Sequence, residues 1–159
     1  MAHWSNREEQ KRKAYRAVHE GSRKIDGERR PGIHFHPPSG WMNDPNGPIF
    51  AGKSYHLFFQ HNPYADTWGS IHWGHARSAD LLFWEKLPLA LAPDARAGLE
   101  HCFSGSCIRR DDGTYALFFT AISESKGLGV HKGAEQWGAL NKTGDLLEWV
   151  PMDNPVLTE

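Results

Sequence analysis

The chain has 159 residues, of which 39% are hydrophobic and 12% are aromatic, so it is long enough for one domain with a buried core. Its 18 Lys and Arg against 19 Asp and Glu give a formal net charge of -1, which argues against a generally basic nucleic-acid-binding protein and against an acidic disordered tail. The two cysteines, Cys102 and Cys107, are too few for a disulfide-rich scaffold, and their odd separation along a strand favours free thiols.

Nothing in the sequence is typical of a membrane-spanning or secreted protein. No stretch is long and apolar enough for a transmembrane helix, and the first thirty residues lack the apolar segment of a secretory signal. We therefore expect a cytoplasmic protein that binds neither a membrane nor nucleic acid.

Residues 1–30 differ in charge from the rest of the chain, with nine Lys and Arg against five Asp and Glu. The segment opens with Ser5-Asn6-Arg7-Glu8, a capping-box pattern, and reaches a plausible helix stop at Gly21. Its few apolar residues predict a peripheral helix that packs on the remaining chain, and we interpret residues 1–30 as an N-terminal basic helical extension. A basic anchor for RNA or a membrane is the alternative, which the interrupting acidic residues disfavour.

From residue 31 onward, short apolar runs alternate with turn signals. Two of these runs, 54–60 and 114–120, read as strands, and each follows a turn that contains Gly. Each is followed downstream by a Trp-Gly pair and then by an Asp-Leu-Leu-x-Trp corner, at residues 80–84 and 145–149. The chain therefore contains an internal repeat with a period of about sixty residues.

This repeat is somewhat longer than the usual propeller blade, but a repeat built only of strands indicates a β-propeller. Two chance meanders in a β-sandwich are the alternative, which the shared corner disfavours. We predict an all-β fold in which residues 31–159 form the first two blades of a larger propeller, preceded by a short helix. Since propellers close with about four to eight blades, two blades make an incomplete ring, and we expect this sequence to be the front part of a larger protein.

The segment Trp41-Met42-Asn43-Asp44-Pro45-Asn46-Gly47 carries the densest set of unusual residues. Pro45 pushes Asp44 into an extended conformation, and Pro45-Asn46-Gly47 predicts a tight turn. A fixed carboxylate beside an amide and an aromatic ring suits sugar chemistry, as a nucleophile or as a stabiliser of positive charge. A purely structural Asx turn is an equally good interpretation of these residues alone.

Further polar and aromatic residues follow at predicted strand ends and in loops. They are Gln60 after the first repeated strand, Trp68 in a loop beside Gly69, and the pair Phe103-Ser104. Amides, hydroxyls and stacking rings are groups that bind polyols, although each one alone is more typical of a core or a turn.

These segments together resemble glycoside hydrolase family 32, the family of invertases, sucrose-6-phosphate hydrolases and fructanases. The resemblance spans roughly residues 33–155 and is carried, in order, by Trp41-Met42-Asn43-Asp44-Pro45-Asn46-Gly47, Phe58-Phe59-Gln60-His61-Asn62-Pro63, Trp73-Gly74-His75-Ala76-Arg77-Ser78, Asp80-Leu81-Leu82 and Phe103-Ser104-Gly105-Ser106. It implies a five-bladed β-propeller followed by a β-sandwich, in agreement with the repeat.

The resemblance also implies a reaction and a site. The reaction is the retaining hydrolysis of a terminal fructosyl bond in sucrose, sucrose 6-phosphate or a fructan, with Asp44 as the nucleophile. The implied substrate-binding residues are Trp41, Met42, Asn43, Gln60, Trp68, Phe103 and Ser104. The implied partner is therefore a small fructoside, and the resemblance calls for no metal and no organic cofactor.

Two motifs of the family are absent from the sequence. An Arg-Asp-Pro motif should carry the stabilising Asp and a Glu-Cys motif the acid/base Glu, and neither occurs here. The remaining candidate acids, none with a supporting motif, are Glu85, Glu100, Glu124, Glu135 and Glu148. We therefore expect residues 1–159 alone to be inactive, and a non-catalytic carbohydrate-binding propeller fragment is the alternative function.

A metal site is a further alternative, because His34-x-His36 and His72-x-x-His75 have spacings found among metal ligands. Ten histidines in the chain make such spacings frequent by chance, and no matching Cys or Asp accompanies them. We expect no metal.

Overall fold

A computed structural model describes residues 7–94, 99–122 and 134–157. Within these ranges the chain forms one α-helix, a short 3-10 helix at Gly27–Arg29 and eight β-strands. The helix α1 spans Arg7–Ser22, and the strands are β1 (Trp41–Ala51), β2 (Ser54–Asn62), β3 (His72–Ser78), β4 (Glu85–Leu91), β5 (His101–Arg109), β6 (Tyr115–Ile122), β7 (Glu135–Asn141) and β8 (Val150–Pro151). They make two four-stranded antiparallel sheets, ordered β1-β2-β3-β4 and β5-β6-β7-β8.

The predicted internal repeat is confirmed in three dimensions. The runs 54–60 and 114–120 form β2 and β6, the second strands of the two sheets. The two Asp-Leu-Leu-x-Trp corners also match, since Leu81 and Leu146 have positive φ angles of 66° and 60°. In each corner the indole of the Trp donates a hydrogen bond to the carbonyl of that Leu, at 3.1 Å in the first and 2.9 Å in the second.

The predicted tight turn at Pro45-Asn46-Gly47 is wrong. These residues belong to β1, which pairs with β2 and shifts register twice, between Met42 and Pro45 and between Asn46 and Ile49. Pro45 and Gly47, whose φ angle is 44°, lie within this strand where its hydrogen-bonded pairing with β2 is irregular. A side chain at Gly47 would meet the Cβ of Cys107 at 2.7 Å, so this glycine lets β1 pass close to β5.

The two sheets share one apolar core. The ring of Trp149, at the corner of the second sheet, meets Phe58 of the first sheet edge-on with centroids 5.6 Å apart. Trp73 of the first sheet meets Phe119 of the second at 6.3 Å. All four side chains are buried, and each contributes about 1.5–3 kcal/mol by its burial. This shared core fixes the two sheets side by side.

The predicted N-terminal helix is confirmed, and it ends at Ser22, one residue after the predicted stop. It packs against the first sheet: Ala14 is buried, and the Ser39 hydroxyl donates to the carbonyl of Val18 at 2.9 Å. Arg7 donates to the carbonyl of Trp149 at 3.3 Å, so α1 also contacts the corner that precedes β8. No helix among the described residues is long and apolar enough to cross a bilayer.

Both cysteines are free, as predicted. Burial raises the pKa of the Cys107 thiol to about 12 and raises the pKa of the Cys102 thiol still further. Neither thiol is therefore suited to act as a nucleophile near neutral pH.

Three histidines of the first sheet, His61, His72 and His75, are almost completely buried. Burial lowers the pKa of His61 to about 4 and the pKa of both His72 and His75 to about 3. An imidazole in the unfolded chain titrates near pH ~6.5, so below that pH the unfolded chain binds protons that the folded chain does not. As the pH falls below this value, the free energy of unfolding decreases by up to about 1.4 kcal/mol per pH unit for each histidine.

We therefore expect the melting temperature to be highest above pH ~6.5 and to fall steeply towards pH ~5, before most carboxylates titrate. Thermal unfolding followed by circular dichroism at a series of pH values measures this decline. His75→Gln should make the decline shallower, whereas His19→Gln, on an exposed face of α1, should leave its slope unchanged. An equally steep decline in His75→Gln would contradict the lowered pKa of the buried His75.

Candidate active site

The antiparallel pairing brings most of the predicted site residues together at one end of the strands of the two sheets. The start of β1 pairs with the end of β2, where Trp41 lies opposite Asn62. This places Asp44 near Gln60. The start of β5, which carries Phe103 and Ser104, lies beside β1. Residues that are far apart in sequence therefore meet where the first strands of both sheets begin.

Asp44 lies on a β-bulge. Met42 pairs with His61 and Pro45 pairs with Phe59, so Asn43 and Asp44 together stand opposite the single residue Gln60. A bulge of this kind turns side chains out of the regular alternation of a strand. Both bulge residues are exposed, which presents the Asp44 carboxylate to solvent rather than to the core.

The second sheet has the same irregularity at the same place. In β5, Phe103 pairs with Thr120 and Gly105 with Phe119, which leaves Ser104 as the extra residue. Ser104 therefore occupies the position in the second blade that Asp44 occupies in the first. The close approach of β1 and β5 brings these two repeat-related side chains together.

A chain of two hydrogen bonds orients the Asp44 carboxylate. The Gln60 amide donates to the Ser104 hydroxyl at 2.7 Å, and the Ser104 hydroxyl donates to Oδ2 of Asp44 at 2.5 Å. Since the hydroxyl receives the amide hydrogen, its own single proton is available for the carboxylate. Gln60 is 7% exposed, so the chain starts from a fixed, buried group and ends on an exposed carboxylate.

Trp68 and Phe103 form an aromatic wall. Their ring centroids are 6.3 Å apart in an edge-on arrangement, and the Trp68 ring lies 4.9 Å from that of His101. The Trp68 side chain is 52% exposed although its ring has these neighbours. One part of the indole therefore stays available to a ligand.

The remaining predicted residues lie beside Asp44 without bonding to it. Trp41 and Met42 are half-buried, and Asn43 is exposed on the bulge. The backbone of Trp41 is fixed on both sides: its N–H donates to the carbonyl of Ala65 at 2.8 Å, and its carbonyl lies 2.9 Å from Nδ1 of His61. This anchoring holds the start of β1, and with it the bulge.

The sequence did not point to His101. Its place in the repeat is the available signal: His101 is opposite the last residue of β6 just as Trp41 is opposite the last residue of β2. Aligning the two blades would have set His101 beside the site, because the residues that follow it, Phe103 and Ser104, correspond to Asn43 and Asp44.

The candidate acids are distributed over the molecule. Glu85, on β4, forms an ion pair with Arg77 at 2.6 Å, and Glu135 accepts a hydrogen bond from the Trp137 indole at 2.9 Å. Glu148 belongs to the second corner, Glu100 directly precedes β5, and Glu124 lies outside the described residues. The expectation that none of them is the family's acid/base stays a prediction.

The second of the two histidine pairs considered as metal ligands, His72 and His75, contacts protein groups. His75 shares a hydrogen bond of 2.9 Å with His56, and Nδ1 of His72 contacts the carbonyl of Ser70 at 2.5 Å. The described parts of the chain hold no group of three or more His, Cys, Asp or Glu placed to share a metal ion.

The fold and this site agree with a family of sugar hydrolases. The family model for the glycosyl hydrolases family 32 N-terminal domain matches residues 34–159, and the chain belongs to that family. The N-terminal domain of these enzymes is a β-propeller, so the two sheets are two of its blades. The match begins at residue 34, and a domain boundary at residue 30 stays a prediction.

Among curated relatives, the chain is 50% identical over 100 residues to a sucrose-6-phosphate hydrolase of Zymomonas mobilis, a match that covers 63% of this chain and 19% of the relative. It is 45% identical over 129 residues to beta-fructofuranosidase 1 of Zea mays, covering 80% of this chain and 19% of the relative. The chain thus spans about a fifth of the length of these relatives.

Solved structures agree. A GH32 beta-fructofuranosidase of Bombyx mori superposes with a TM-score of 0.81 at 34% identity, covering 96% of this chain and 31% of that one. Fructan 1-exohydrolase IIa of Cichorium intybus gives a TM-score of 0.72 at 40% identity, covering 85% and 25%. A mutant of the former has been solved in complex with sucrose and a single-residue variant of the latter with 1-kestose.

Proposed function

We propose that this chain supplies the nucleophile side of the active site of a retaining β-fructofuranosidase that acts on sucrose, sucrose 6-phosphate or a fructan. The observation that carries the proposal is the exposed Asp44 carboxylate, held on a bulge by the hydrogen bonds from Gln60 through Ser104. The relatives and the sugars bound in the solved structures support the substrate class.

In the proposed reaction, a carboxylate oxygen of Asp44 attacks the anomeric carbon of the terminal fructosyl unit. The bond from that carbon to the leaving oxygen breaks as the ester bond to Asp44 forms, and the leaving oxygen takes a proton from an acid. Water then attacks the same carbon, gives a proton to the group that acted as the acid, and releases fructose and the free carboxylate. Two displacements at one carbon retain its configuration.

The other residues bind and orient the sugar. Gln60 and Asn43 are proposed to bond to fructosyl hydroxyls, and Trp68 to cover one side of the ring, as amides and aromatic rings do in polyol sites. The acid is proposed to come from a part of family 32 proteins that this chain does not span, since the Glu-Cys motif is absent from the sequence.

The test is an assay of the protein that carries this chain on sucrose, sucrose 6-phosphate and a fructan, with the first-formed fructose followed by NMR. Release of the β-anomer before mutarotation supports the proposal, and release of the α-anomer contradicts it. Binding of these sugars without turnover would instead favour the alternative, a non-catalytic carbohydrate-binding propeller.

Ser104→Ala should lower kcat/KM for the fructoside by about 10- to 100-fold, because it removes a charge-assisted hydrogen bond that orients the nucleophile. Ser106→Ala, an exposed position on the same strand, is the matched control and should leave kcat/KM unchanged. Steady-state kinetics of both variants measures the difference. Equal values for the two variants would show that the Ser104 hydroxyl does not act on Asp44.

A further inference from the structure

The loop between β2 and β3 that carries Trp68 is tied down at both ends by side chains. Near its start, the Asn62 amide donates to the carbonyl of Thr67 at 2.8 Å. At its end, the N–H of Ile71 donates to Nδ1 of His101 at 3.2 Å, and the carbonyl of Ile71 accepts from the N–H of Cys102 at 2.8 Å. The first two residues of β5 therefore bind both backbone groups of Ile71.

Between the hydrogen bonds at Thr67 and Ile71, the backbone next to Trp68 has an unusual conformation. Gly69 has a φ of 143° and Ser70 a φ of 41°, and the loop lies outside both sheets. A non-glycine residue in the left-handed region is held there by its surroundings rather than by its own preference. The hydrogen bonds to the backbone of Ile71, directly after Ser70, are such a constraint.

His101 also contacts the Trp68 side chain itself. The two ring centroids are 4.9 Å apart with the planes inclined at 37°, and the centroids of His101 and Phe103 are 5.8 Å apart. His101 is 8% exposed, whereas Trp68 is 52% exposed. A buried imidazole thus supports an indole whose outer part remains open.

We propose that His101 is a positioning residue for the sugar site. The His101 ring holds the Trp68 indole in place, and Nδ1 of His101 fixes the Trp68 loop. The inference rests on the proposed function, in which Trp68 covers the bound fructosyl ring. Because Nδ1 accepts a hydrogen bond from Ile71, this role uses the tautomer with the proton on Nε2. His101 itself need not touch the sugar.

A double-mutant cycle on the protein that carries this chain tests whether His101 acts through Trp68. We expect Trp68→Ala to lower kcat/KM by about 10-fold or more and His101→Ala to lower it by about 5- to 10-fold. In the Trp68→Ala background, His101→Ala should lower kcat/KM by less than about twofold, because its target is already absent. Equal losses in both backgrounds would overturn the proposal.

Two conservative variants separate the ring from the hydrogen bond. His101→Phe keeps an aromatic support and loses the acceptor, whereas His101→Gln keeps an acceptor and loses the ring. Each should retain more kcat/KM than His101→Ala, and these variants serve the cycle if His101→Ala does not fold. If both fall as low as His101→Ala while remaining folded, neither part of the assigned role holds. His19→Ala, at an exposed histidine of α1, is the control.

A spectroscopic measurement is independent of turnover. The indole N–H resonance of Trp68, assigned by its loss in Trp68→Phe, should shift and broaden in His101→Ala and recover in part in His101→Phe. An unchanged resonance in folded His101→Ala overturns the proposal. If the protein hydrolyses no fructoside but the resonance shifts as expected, the positioning of Trp68 stands and it is the proposed reaction that fails.

Discussion

Asp44→Asn should lower kcat for fructoside hydrolysis by at least about a thousandfold in the protein that carries this chain. The amide has nearly the same shape as the carboxylate and can still accept a hydrogen bond from Ser104. It cannot form the fructosyl ester, so the chemical step is lost while the site is kept. Steady-state assays, with the variant checked for traces of native enzyme, measure the loss.

Asp66→Asn is the matched control, because Asp66 is exposed and lies in the Trp68 loop near the same site. It should keep most of the native kcat. Asp44→Asn should also bind fructose with nearly native affinity, which would separate a loss of chemistry from a loss of fold. An Asp44→Asn variant that retains more than about a tenth of native kcat would remove Asp44 from the role of nucleophile.

Gly105→Ala should have the largest effect on stability. A Cβ at this position would lie 1.8 Å from the carbonyl oxygen of Phe118 and 2.9 Å from the Cα of Phe119. These are backbone atoms of the neighbouring strand β6, so no side chain can rotate away, and the two strands would have to separate at the bulge. We expect the free energy of unfolding to fall by about 3 kcal/mol or more.

Denaturant unfolding of Gly105→Ala against Gly27→Ala measures this effect, since a Cβ at Gly27 would meet no atom within 4 Å. Any folded Gly105→Ala protein should also have lower kcat/KM, because Gly105 follows Ser104 directly and the separation of the strands would move the Ser104 hydroxyl from Asp44. A midpoint equal to that of Gly27→Ala would show that the strands do not approach so closely.

Much of the fold could be predicted because its signals are local. The runs 54–60 and 114–120 are rich in apolar and aromatic residues and follow turn residues, and the corners at 80–84 and 145–149 repeat the same residues, so the two blades could be recognised before their packing was known. The helix α1 and its end near Gly21 could also be predicted, whereas the predicted cap at Ser5 and Asn6 lies outside the described residues. The conformation of residues 45–47 could not be predicted in this way. Proline and glycine residues occur in tight turns and also at β-bulges, and the pairing of β1 with β2 decided in favour of an irregular strand.

The residues of the site could likewise be predicted from their chemical types: a carboxylate before a proline, an amide at a strand end, and aromatic and hydroxyl residues. Their geometry required the register of each sheet and the packing of one blade on the other. Asp44 and Ser104 are sixty residues apart and meet because equivalent bulges of β1 and β5 face each other. The support of Trp68 by His101 has the same origin, since contacts between blades depend on the rotation that relates them, which no local pattern encodes.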